Sequence, residues 1–344
     1  MKRAGLFAAA LVFATLLSST ASRATGDGSR PSPANPPAVV PVVLREPVVT
    51  ATPNAPTPIT FAERWRGAGF SGVYLTPKDG FVADDGGVDL AFHFNAALVA
   101  EPEWRKSNAN AVVVSVAYGV GSGTYAEPFS NPGLFPYMVR SVLGEIEKSL
   151  PPSQKKKLYA RRITLAAWSA GFGAVGKILA LPESYEKIDS VVLLDGIHAG
   201  YTGPGPHGAG EGADKVDLKM IGNLVRFAKD AALGKKTMVI THTSIIPPDY
   251  ASAAETTTAL LGAIGLSRQV VDEPTEGMLL TSRVDEKGLH VRGFGGNSKG
   301  AHMKHLHLVG WAMRDFVVPE RAASLASVQR ARPGAVVAEA APAR

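Results

Sequence analysis

Cysteine is absent from this chain of 344 residues. That excludes a disulfide framework, a thiolate zinc site, a cysteine nucleophile and a lipid-modified cysteine at an export junction. Basic runs interleaved with aromatic residues are lacking too, so the sequence carries no stacking platform for nucleic acid. Lys155–Lys157 and the pair Lys235 and Lys236 read as solvated ends of elements. There is no internal repeat. The apolar run near the N-terminus, Leu6–Leu17, is too short to span a bilayer comfortably.

What is present begins with a leader-like pattern. Lys2 and Arg3 precede the apolar run, and small residues follow, with Ala21 or Ala24 as cleavage points. This is the pattern of a secretory signal peptide over 1–24, so an exported protein, periplasmic or extracellular, is expected. A membrane contact would then come only through a retained signal. The formal net charge of +6 falls to +3 if cleavage after Ala24 removes Lys2, Arg3 and Arg23. So weak a surplus is no argument for a nucleic-acid partner.

Residues 25–58 are rich in Pro, Ala, Thr and Val and read as a spacer, with "VVPVVLREPVV" as an expected edge strand inside it. Residues 319–344 are rich in Ala and Arg, lose apolar periodicity after Val318, and read as a disordered tail. Between them, 59–318 alternates. Apolar runs of strand length fall at 72–75, 88–94, 111–118, 163–168, 188–194, 237–240 and 289–295. Helical spacing of three and four recurs at 134–150, 170–181, 216–233, 253–261 and 301–316. Near-continuous apolar strands alternating with helices predict an α/β domain, a mostly parallel sheet covered on both faces. In such sheets ligands bind beyond the carboxyl ends of the strands, so chemistry is sought just after each apolar run.

Ser169 stands in that place. "A-W-S-A-G" joins the run "ITLAAW" to a helical pattern, and the small residues Ala167, Ala170 and Gly171 allow strand and helix backbones to come close. The motif resembles the nucleophile elbow of the α/β-hydrolase superfamily, G-x-S-x-G, with Ala167 in place of the first glycine. The alternative role for Ser169 is an ordinary helix N-cap. The resemblance spans roughly 60–318 in layout and implies the α/β-hydrolase fold, with a triad in the chain order serine, acid, histidine.

Asp195 follows the next strand, "IDSVVLL", and is the acid chosen to orient an imidazole; Asp249 and Glu255 are its competitors. His302 lies at a loop–helix junction after "GGNSKG" and is the expected base, with His305, one turn on, as second choice. An acyl-transfer site needs two N–H donors for its oxyanion. The resemblance implies Ala170 for one, and the turn "FNAA" after the 88–94 strand offers Asn95 for the other. Tyr125 and His198 are candidates for the pocket wall, and the Gly-rich segment after Asp195 is either a mobile cover or an exposed insertion.

These residues together imply a serine hydrolase acting on an acyl ester, small or polymeric, with no cofactor and no metal. Two other functions remain open on the sequence. One is a non-catalytic hydrolase-like envelope binding protein, favoured by the altered glycines at Ala167 and at Asn95–Ala96. The other is a metal-dependent hydrolase using the His302, His305 and His307 cluster.

Overall fold

The computed structural model describes residues 58–203, 207 and 210–321. The expected signal peptide over 1–24, the expected linker with its edge strand up to residue 57, and the expected tail from residue 322 lie outside them.

Within the described residues ten strands form one mixed sheet: β1 (Arg66–Gly67), β2 (Val73–Leu75), β3 (Gly87–Phe94), β4 (Val112–Val116), β5 (Tyr159–Trp168), β6 (Ile188–Leu194), β7 (Thr237–His242), β8 (Gln269–Thr275), β9 (Met278–Glu286) and β10 (Leu289–Phe294). The spatial order is β1-β2-β4-β3-β5-β6-β7-β10-β9-β8. From β4 through β10 neighbouring strands run parallel. The flanking pairs β1/β2, β2/β4, β10/β9 and β9/β8 are antiparallel. An α/β architecture with a mostly parallel sheet is therefore what this chain adopts.

Every residue of β3, β4, β7 and β10 is buried. Alternation sends successive side chains to opposite faces. Val88, Leu90, Phe92 and Phe94 of β3, with Ile163, Leu165 and Ala167 of β5, enter one core. Helices α3 (Leu134–Ser149), α4 (Phe172–Ile178), α6 (Gly222–Ala232) and α7 (Ala253–Ala263) cover that core. Ala91 and Ala166 enter the other, covered by α1 (Glu101–Lys106), α8 (Lys299–Leu306) and α9 (Val309–Ala312). Burial on both faces is why these strands read as continuous apolar runs. Two short helices, α2 (Ser122–Ala126) and α5 (Pro182–Lys187), complete the set.

The chain passes from β3 to β4 on one side and then returns to place β5 on the other. Strand order thus reverses between β3 and β5, and a crevice opens beyond their carboxyl ends at such a switch point. Ser169 and the Asn95–Ala96 turn both lie there.

Two expectations on boundaries need correction, and one hairpin carries no sequence signal of the kind used above. The 269–286 hairpin escapes the sequence reading because β8 is mostly exposed and carries a proline, so it lacks the buried-run signal. The helix expected over 301–316 is broken into α8, α9 and a π-turn, Met313–Val317. Nor does the ordered chain stop at Val318: it remains helical to Arg321. Arg321 is held there by Nε donating to Asp189 Oδ2 at 2.9 Å and Nη2 donating to Thr164 Oγ1 at 2.6 Å.

Candidate functional site

Ser169 begins the helical turn Ser169–Gly171, which runs directly into α4. Its φ is 51°, in the left-handed region. A non-glycine residue there is strained by about 1–3 kcal/mol and persists only where its surroundings impose it. Those surroundings are very close. A Cβ on Gly171 would lie 2.3 Å from the Phe94 carbonyl oxygen, and one on Gly196 would lie 2.3 Å from the Ser169 carbonyl oxygen. Glycine at both positions lets the ends of β3, β5 and β6 converge on the serine. Ala167, in contrast, has its side chain in the core, where a methyl group packs.

Asp195 follows β6, its N–H continuing the ladder to the Thr241 carbonyl at 2.9 Å. It too has a positive φ, 44°, which turns its side chain toward α8. Ser298 caps that helix by accepting from the Ala301 N–H at 3.2 Å, leaving His302 in the first turn.

The three groups meet. His302 Nδ1 lies 2.6 Å from Asp195 Oδ2, and His302 Nε2 lies 3.0 Å from Ser169 Oγ. Asp195 Oδ1 accepts from the Thr243 N–H at 2.8 Å and the Thr243 hydroxyl at 3.1 Å. Both carboxylate oxygens are therefore engaged. Burial on its own would raise the Asp195 carboxyl. The hydrogen bond to His302, the nearby His305 and the Thr243 N–H outweigh it and hold the group below the usual carboxylate range. An ionised aspartate against Nδ1 fixes that nitrogen as the N–H and leaves Nε2 as the acceptor facing the serine.

Asn95 and Ala96 also have positive φ, 73° and 61°. The oxyanion role expected of Asn95 is corrected by its contacts. Its N–H donates to the Val116 carbonyl at 3.0 Å, and its side-chain amide donates to the Trp168 carbonyl at 3.1 Å. Asn95 thus pins the end of β3 to the serine turn, and the N–H left without a protein acceptor is that of Ala96, the next residue. Ala170 follows the serine in the first turn of Ser169–Gly171, where backbone N–H groups have no intrahelical acceptor.

The competing candidates sit elsewhere or serve other ends. His305 is fully buried, with Nδ1 2.8 Å from the Thr241 hydroxyl. Burial pushes it down to about 4. His307 faces Glu103 at 3.8 Å. His302, His305 and His307 therefore point to three different partners, and among the described residues no group of three ligating side chains could hold a metal. Glu255 completes a capping box with Ser252 at the start of α7 and receives the Tyr201 hydroxyl and the Gly212 N–H. It anchors the segment after Asp195 rather than an imidazole. Asp249 has no contact with His302.

Tyr125 is a core residue, not pocket wall: it is fully buried, and its hydroxyl receives the Tyr118 N–H at 3.3 Å. His198 is half-buried, 3.1 Å from the Ala251 carbonyl through Nδ1, and edge-on to Phe172 and Tyr250. Burial lowers its basicity. Two contacts at the site escaped the sequence reading: Thr243 on Asp195, and Trp168 against His302. The signal available for each was position alone, a residue just past β7 and the residue before the serine.

A scan against protein-family models finds no match to this chain, and a search of the curated proteins finds no similar one. Geometry therefore carries the functional argument.

Proposed function

We propose that this protein is a serine hydrolase of the α/β-hydrolase type, cleaving an acyl ester through Ser169, His302 and Asp195. The observation that carries the reading is the unbroken chain of contacts from Ser169 Oγ to His302 Nε2 at 3.0 Å and from Nδ1 to Asp195 Oδ2 at 2.6 Å. The serine's place on a strained turn after a central strand, at the switch point of the sheet, supports it. So does the chain order serine, aspartate, histidine.

In this mechanism His302 takes the Ser169 proton on Nε2 as Oγ attacks the acyl carbonyl. Asp195 stays ionised and holds the imidazolium that forms. Negative charge developing on the carbonyl oxygen meets the N–H groups of Ala170 and Ala96 at the carboxyl ends of β5 and β3. His302 then passes its proton to the departing alcohol, and an acyl-enzyme remains on Ser169. Water enters, loses a proton to the same Nε2 and bonds to the acyl carbon; the bond to Ser169 Oγ breaks, Nε2 returns the proton to Oγ, and the acid leaves. The reading includes export, on the leader-like pattern over 1–24.

A panel of p-nitrophenyl esters of increasing acyl length tests this. Turnover should appear with the wild-type protein and fall roughly a millionfold in Ser169→Ala, the scale seen when a triad nucleophile is removed. Turnover equal in the two proteins would refute the assignment. No turnover in either would favour a binding role. Activity lost to a chelator and restored by zinc would favour metal chemistry.

A further inference from the structure

Trp168, the residue immediately before Ser169, lies against the His302 imidazole. The ring centroids are 4.7 Å apart and the planes are inclined by 31°. The indole Nε1–H donates to the His302 carbonyl oxygen at 3.2 Å. The two imidazole nitrogens already face Ser169 and Asp195, so the indole covers a face of a ring whose polar edges are both engaged. Strand alternation explains the placement. Ala167 points to the core under α3 and α4, while Ala166 and Trp168 point to the other, beneath α8.

Building on the serine-hydrolase reading, we propose that Trp168 is a positioning residue for His302: its π face stabilises the imidazolium formed when Ser169 gives up its proton, and its N–H fixes the first turn of α8. The proton moves from Ser169 Oγ to His302 Nε2, and no bond to the indole forms or breaks. Because the cation exists only after that transfer, the contact favours the transition state over the resting enzyme. A cation over an indole face within about 6 Å changes an equilibrium by roughly two- to thirtyfold.

The other titratable groups around His302 are Asp195 beyond β6, His198 in the segment that follows, and His305 on the same helix. Contacts hold Asp195 toward its ionised form, and burial holds His198 and His305 toward neutrality.

The test compares the full-length wild type with Trp168→Phe, Trp168→Leu and His302→Gln, using two readouts. The first is indole emission followed from about pH 5 to 9, which needs no turnover. A protonated imidazole quenches an indole it touches, so wild-type emission should fall on acidification. That change should vanish in His302→Gln and in Trp168→Leu. Trp104 also rests against a histidine, with centroids 5.8 Å apart, but burial pushes that histidine, His93, down to about 3, below the window.

The second readout is kcat/KM against pH. Trp168→Leu should lose about tenfold, with its acid limb moved to lower pH, because the protonated form has lost its π partner. Trp168→Phe keeps an aromatic face and should stay within about threefold of wild type. An emission change that persists in His302→Gln overturns the proposal, as does a Trp168→Leu enzyme whose acid limb has not moved. Emission that titrates with His302 in a protein that hydrolyses no ester supports the contact and overturns the hydrolase reading alone.

Discussion

At the carboxyl ends of β3, β5 and β6, four non-glycine residues hold positive φ: Asn95, Ala96, Ser169 and Asp195. At the amino ends of the same sheet the polar groups are paired off instead. Arg161 meets Asp89 at 2.8 Å, Arg321 joins Asp189 to Thr164, and Lys236 caps the carbonyls of Tyr185, Glu186 and Ile188. The carboxyl end also holds His93, His242 and His305, each buried with an Nε2 that has no protein partner. For β3, β5 and β6, the strained residues gather at the carboxyl ends, while Asp89, Arg161 and Asp189 near their amino ends are paired. The difference teaches where these three strands are tuned for stability and where strain is held at the proposed site.

The comparison can be sharpened by three changes. The largest effect should come from Asp195→Asn at the carboxyl end. The amide cannot enforce the tautomer that leaves Nε2 free, so kcat should fall about ten-thousandfold, while thermal unfolding stays close to wild type. An equal loss of folding would show that Asp195 is structural and would erase the contrast between the two ends.

Acid should come next. Burial holds His305 at about 4 and His93 and His242 at about 3. The unfolded chain takes up these protons near pH 6.5, before the folded one does. Stability from these groups is therefore complete above about pH 6.5 and is lost progressively as pH falls toward their folded values. Each histidine should cost up to about 2 kcal/mol between pH 7 and 5. Urea unfolding at the two pH values checks this, and unchanged midpoints would refute it.

The smallest effect should come from the amino end. Arg321→Met removes a cation from a largely buried pair but leaves the catalytic groups untouched. It should destabilise by about 1–3 kcal/mol with kcat within about twofold of wild type. A large loss of kcat in a folded sample would mean that the two ends are coupled.

Much of the sheet was legible because its central strands are buried on both faces, and seven apolar runs in the sequence fall on seven of the ten strands. The β8–β9 hairpin was not, since an exposed edge has no apolar run to announce it. Its turn, Glu276–Gly277, was the signal to use. The serine and aspartate were readable as residues that end strands. His302 and His305 are three residues apart on one helix, and only burial separates a histidine between Ser169 and Asp195 from one closed in the core. Tyr125 misled because an aromatic in a Gly-rich segment after a strand reads the same whether it lines a cleft or fills the core. Asn95 misled because the sequence does not say that its N–H is taken by the Val116 carbonyl.

The most direct measurement is labelling of the folded protein with a fluorophosphonate, mapped by mass spectrometry. A serine activated by His302 and Asp195 should carry a single adduct at Ser169, and Ser169→Ala should carry none. A folded sample that takes no label, or one that labels equally well in Ser169→Ala, would contradict the account.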